Sequence, residues 1–118
     1  MEVKSNKLII NNKEIEFENT INKVFEVEDT IIVYLSSSRE MNLKNKQPFN
    51  NVYAVDINGN VLWNIKEIFE KTKYKGERVV IDIGLNEKNN LILNDHIGAY
   101  YEIDINKKEI VETSVRRW

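Results

Sequence analysis

Asn51-Val52-Tyr53-Ala54-Val55-Asp56-Ile57-Asn58-Gly59-Asn60-Val61-Leu62-Trp63 decides the fold, because a version of it returns later in the chain. The second version reads Tyr100-Tyr101-Glu102-Ile103-Asp104-Ile105-Asn106-Lys107-Lys108-Glu109-Ile110-Val111. Tyr53 matches Tyr101, Val55 matches Ile103, Asp56 matches Asp104, Ile57 matches Ile105 and Asn58 matches Asn106. Self-similarity of this kind marks a reused supersecondary unit, here strand–turn–strand. Asp56 and Asp104 close the first strand of each copy, where a short carboxylate accepts backbone amides two residues on. Asn58-Gly59 supplies residues that tolerate positive φ, as a tight hairpin requires. Lys107-Lys108 stands where the first copy has Gly59-Asn60, so the second turn is expected to be longer or of another type.

Working outward, apolar runs are short, β-branched and separated by Asn, Asp, Lys and Gly, which is a strand-and-turn pattern. Two four-strand units can be laid out, at about 22–66 and 78–115. The first uses Val24 to Val27, Ile31 to Leu35, Val52 to Ile57 and Val61 to Ile65. The second uses Val79 to Ile83, Leu91 to Leu93, Tyr100 to Ile105 and Ile110 to Val115. A hairpin of Leu8-Ile9-Ile10 and Ile15-Glu16-Phe17 around Asn11-Asn12-Lys13 precedes them. One short helix is predicted over Asn64 to Tyr74, with Ile65, Ile68 and Phe69 at helical spacing and Gly76 as its stop. The expected fold is mainly β: two antiparallel blade-like meanders and an N-terminal hairpin in a single domain, 1–118.

Alternation assigns the faces. Around Tyr53 both sides of the strand are apolar, whereas Glu102 and Asp104 alternate with Tyr101, Ile103 and Ile105. The first unit is therefore expected to lie centrally, and the second to turn one face to water.

The Val52-Tyr53-Ala54-Val55-Asp56 run with Gly59, Val61, Leu62 and Trp63 resembles the repeat of pyrroloquinoline-quinone-type β-propellers. Their blades read roughly V-Y-A-hydrophobic-D, a Gly turn, then V-L-W. The resemblance implies that each unit is a blade and that Trp63 packs between blades. Propellers close with about 4–8 blades and two are readable here, so the cofactor chemistry of the quinoprotein enzymes is not carried over and no cofactor is expected.

Bulk properties narrow the function. The chain has 118 residues, of which 42% are hydrophobic and 31% charged, the profile of one globular domain. Seventeen basic against 19 acidic residues give a net charge of −2, which argues against nucleic acid as a partner. Zero cysteines exclude disulfides and thiol chemistry, and a single histidine leaves little for a transition metal. The N-terminus lacks a signal-peptide core and no apolar run nears membrane-spanning length, so a cytoplasmic protein without a membrane partner is expected.

Tempting sites dissolve on inspection. Asp56, Asn58, Asn60 and Glu67 imitate calcium-loop spacing, but the sixth position is Val61 and not the Gly that a calcium loop needs, so a hairpin is favoured. His96 beside Asp95 sits in an Asn94-to-Gly98 turn, where side chains ordinarily face solvent. No catalytic, cofactor-binding or metal-binding residue is predicted. Ser36 to Asn50 is different, a long irregular stretch where the second unit has only a short turn. It carries Arg39, Met41, Lys44, Lys46 and Phe49, a mixture suited to an acidic partner with an apolar pocket. The tail Arg116-Arg117-Trp118 adds residue types typical of interface hot spots.

Three classes compete. A non-enzymatic protein-binding module, of the kind that neutralises a toxin or docks on a partner complex, is favoured. The alternatives are a structural subunit of a larger homo-oligomeric β-assembly and an enzyme whose site is scattered through the sequence.

Overall fold

The computed structural model describes residues 1–36, 50–71, 80–95 and 98–115. Its strands form three antiparallel meanders in chain order. The first holds β1 (Glu2–Lys4), β2 (Lys7–Ile10) and β3 (Lys13–Glu16). The second holds β4 (Ile21–Val27), β5 (Thr30–Leu35), β6 (Val52–Asp56) and β7 (Val61–Asn64). A short helix, α1 (Ile65–Glu70), follows β7 directly. The third sheet holds β8 (Val80–Leu85), β9 (Leu91–Asp95), β10 (Ala99–Asp104) and β11 (Glu109–Val115).

The two four-strand meanders stand where the sequence places them. The N-terminal hairpin gains β1 as a third strand, through Glu2↔Ile9 and Lys4↔Lys7 pairing. That strand is too short and too charged to announce itself. The β2–β3 turn places Asn11 at φ 48° and Asn12 at φ 66°, the left-handed pair that a two-residue hairpin demands. Helix α1 begins where expected but gives way at Lys71, and the rest of the predicted span lies outside the described residues. Asn64 caps it: its Oδ1 accepts the Glu67 amide at 3.0 Å, and its Nδ2 donates to Glu67 Oε1 at 2.7 Å. Such a reciprocal cap contributes about 1 kcal/mol, and Ile65, Ile68 and Phe69 form the buried face.

The β4–β7 sheet is central. Ile31, Val33, Leu35 and Val55 pack against Leu8, Ile10 and Phe17 at the N-terminal sheet. Ile32, Tyr34, Val52, Ala54 and Trp63 pack from the opposite face against Leu91, Leu93, Tyr101 and Ile103 of the third sheet and against α1. The third sheet alternates buried Tyr101 and Ile103 with half-exposed Glu102 and Asp104, turning its outer face to water. Both face assignments thus match the alternation in the sequence.

Strand registers extend the repeat well beyond Tyr53 and Tyr101. Val33↔Tyr53 answers to Leu93↔Tyr101, and Ile31↔Val55 answers to Leu91↔Ile103. Each unit skips one residue in its first strand, Asn22 and Ile81, and one in its last, Leu62 and Val111. Bulges at matching places mean that both sheets share one twist and one shape. The turns differ by one residue. Asp56 N–H donates to Asn60 O with Gly59 at φ 83°, whereas Asp104 pairs with Glu109 across Lys108 at φ 58°. A Cβ on Gly59 would also meet the Lys13 side chain at 2.7 Å.

Trp63 lies between the second and third sheets, 1% exposed, and its Nε1 donates to Ile105 O at 3.2 Å. Removing such a ring leaves a cavity and an unpaired carbonyl. Trp63→Ala is expected to lower unfolding free energy by about 3–5 kcal/mol, measured by urea denaturation.

Candidate functional site

Three connections and the C-terminal tail leave the second and third sheets at one end of the stack. Leu35 and Asn51 flank the long connection there, joined by Leu35 N–H to Asn51 O at 2.8 Å. Val80 begins β8 beside Asp95, its register partner at the end of β9. Ala99 begins β10 opposite Val115, where β11 runs out. Residues 37–49, 72–79, 96–97 and 116–118 lie outside the described residues, so only their flanks are placed. The sequence-predicted contact residues Arg39, Met41, Lys44, Lys46, Phe49, Arg116, Arg117 and Trp118 all fall within these spans, as does His96.

Beneath that end the flanks form a buried polar platform. Asn51 is fully buried; its Nδ2 donates to Val80 O at 2.8 Å and its Oδ1 accepts the Val80 amide at 3.4 Å. Tyr34 Oη donates to the same Val80 carbonyl at 3.3 Å. One asparagine thereby clamps the start of β8 onto the central sheet. Asp95 is equally buried, accepting the Ala99 amide at 2.9 Å and the Tyr101 hydroxyl at 2.9 Å. Asp95 is thus not in the solvent-facing turn that its sequence neighbours predict. β9 runs through Asp95, which points the carboxylate inward to hold the turn to β10. Tyr101 also meets Phe69 of α1, ring centroids 5.1 Å apart and tilted by 58°.

At the opposite end, paired Asx turns do structural work. Asp56 Oδ1 accepts the amides of Asn58 and Asn60, both at 2.9 Å, so the calcium-like spacing resolves into a capped hairpin. Asn86 Oδ1 accepts from Lys88 and Asn90 in the same manner. The side-chain amides of Asn86 and Asn90 then donate to Glu102 Oε2 at 3.0 and 2.7 Å. Those two amides, Asn90 first, hold the Glu102 carboxyl below its ordinary value, with Lys88 adding attraction. The Asn60 backbone amide does the same for Asp56, helped by the Asn60 side chain and the Asn58 amide.

Among the described residues, no group of three or more His, Cys, Asp or Glu could hold a metal ion. No helix among them is long and apolar enough to cross a membrane. The described residues form a three-sheet antiparallel β-domain in which the flanks of the longest connection and the end of β11 stand at one end, beside the buried side chains of Asn51 and Asp95. The chain belongs to the family described as domain of unknown function DUF7957, whose model matches residues 1–115. Comparison with curated proteins and with solved structures found no match.

Both depressed carboxyls bind protons less readily in the folded chain than in the unfolded one. Their contribution is complete above the unfolded values, 4.5 for Glu102 and 3.8 for Asp56, and is lost as pH falls through the lower folded values. Unfolding free energy is expected to decline on acidification below 4.5, and Asn90→Ala is expected to move the Glu102 titration upward, read by NMR.

Proposed function

We propose that this chain is a non-enzymatic protein-binding module, of the type that neutralises a toxin or docks on a partner complex. The observation that carries the reading is convergence. The flanks of 37–49 and of 116–118 stand at the same end of the stack, tied together through Val80, Asp95 and Ala99. The long connection and the last residues thus depart from the same end of the sheets. Residues on loops held by a rigid scaffold are the usual carriers of recognition. The buried Asn51 and Asp95 make the base resistant to deformation, which lowers the ordering cost of binding. The partner in this reading is an acidic protein surface with an apolar pocket, met in the cytoplasm by Arg39, Lys44 and Lys46 with Met41, Phe49 and Trp118.

The second reading, a subunit of a larger blade-like assembly, draws on the head-to-tail stacking of the second and third sheets. The propeller likeness of the repeat belongs to that reading. One comparison weighs against it. Ala54 and Trp63, which receive the next sheet in the second unit, correspond by register to Glu102 and Glu112 in the third. A polar outer face of this kind ends a stack of repeats.

Capture from native-level expression, followed by affinity measurement, tests the proposal. Shortening Ser37 to Gln47 to a Gly-Ser turn is expected to weaken binding on the order of tenfold or more while thermal unfolding is unchanged. Trp118→Ala is expected to act in the same direction. Undiminished affinity in both variants rejects the proposed contact.

A further inference from the structure

Among the described residues, strand β11 ends the third sheet with no strand paired to its outer side, and it carries neither lysine nor proline. Exposed edges are commonly blunted by Lys, Pro, short length or bulges. β1, β3 and β7 are short, at three, four and four residues. β4 and β8 are guarded by the Lys23–Asp82 ion pair at 3.4 Å between them. β11 runs for seven residues, Glu109–Val115, without Lys, Arg, Pro or Gly. A single bulge at Val111 interrupts it, and that valine remains 49% exposed.

Charge on this edge is one-sided. Glu102 stands directly opposite Glu112, and Asp104 directly opposite Glu109. Like charges facing across a strand pair are destabilising, and Asn86 and Asn90 keep Glu102 in its ionised form by donating to it. On the core side, Ile110 is only partly buried, and the buried Thr113 hydroxyl oxygen has no hydrogen-bond partner among the described residues. Register makes Thr113 the counterpart of Asn64, which in the second sheet ends its strand and caps α1. The third sheet has no helix there among the described residues, and β11 continues past that point to Val115.

We infer that β11 accepts an added antiparallel or parallel strand from a partner protein, an extended segment whose alternate residues are basic and apolar. Strand addition of this kind draws affinity from main-chain hydrogen bonds and specificity from alternate side chains. Lysine or arginine on one face of the incoming strand answers Glu112 and Glu109; apolar residues on the other extend the core past Ile110. The edge leads to Val115, at the end of the sheets where Leu35 and Asn51 also stand. The inference rests on the protein-binding reading but adds a site and an occupant of its own.

The probe is a short synthetic peptide alternating lysine and valine, with a serine–valine peptide as control, titrated into the isotope-labelled full chain. Amide shift changes and slowed hydrogen exchange are expected to concentrate on Glu109–Val115. The uncharged peptide is expected to bind about tenfold more weakly, and Glu112→Lys to weaken the lysine peptide similarly, because an attractive cross-strand pair becomes a repulsive one. Glu112→Lys removes the repulsion with Glu102, so loss of fold does not confuse the result. Changes centred on another edge, no binding, or binding indifferent to Glu112→Lys would each overturn the inference. A natural partner held through the loop end with affinity unaffected by Glu112→Lys would overturn it too, while leaving the binding reading intact.

Discussion

A sheet that hides both faces must be covered twice, and the β4–β7 sheet imposes that requirement on everything around it. Val33 and Val55 point one way, Ile32 and Ala54 the other, all fully or almost fully buried. Roughly 1.5–3 kcal/mol attends the burial of each large aliphatic side chain, so neither face can be left open to water. The N-terminal sheet answers the first need with Leu8 and Ile10, the third sheet answers the second with Leu93 and Ile103. Polar surface is pushed to the two outer faces and to the turns. The stack has an inside order, and its ends are finished with charge.

Much of this was written in the alternation of side chains. The both-sided apolar pattern around Tyr53 gave away the central sheet, and Glu102 and Asp104 gave away a half-wet one, because strand period and burial are directly coupled. Ile65, Ile68 and Phe69 revealed α1 through spacing alone. Other features left fainter marks. β1 carries Glu2 and Lys4, whose charge hides a three-residue strand held only by its neighbour. A third version of the repeated turn lies in the first sheet, Ile10-Asn11-Asn12-Lys13-Glu14-Ile15 against Ile105-Asn106-Lys107-Lys108-Glu109-Ile110, and its registers agree: Leu8↔Ile15 answers Ile103↔Ile110.

Asp95 shows why site chemistry is harder to read than fold. Its neighbours in sequence, Asn94 and Gly98, spell a surface turn, yet Tyr101 and the Ala99 amide turn the carboxylate inward. Only the register of β10 against β9 reveals those partners, and register is a long-range property. The same holds for Asn51, whose role is set by Val80, 29 residues away. For the segments 37–49 and 116–118 the sequence supplied residue types, and the fold supplied a common point of departure.

Chain order adds a consequence for synthesis. Each sheet is a meander of consecutive strands, so the first two are complete in sequence before the third begins. At that moment the Ile32, Tyr34, Val52, Ala54 and Trp63 face of the second sheet has α1 against it but not the third sheet, which begins at Val80. A nascent chain stalled between these points displays an incompletely covered apolar face of the kind that chaperones hold. Asn51, by gripping the first residue of β8, makes arrival of the third sheet the step that ends this exposure.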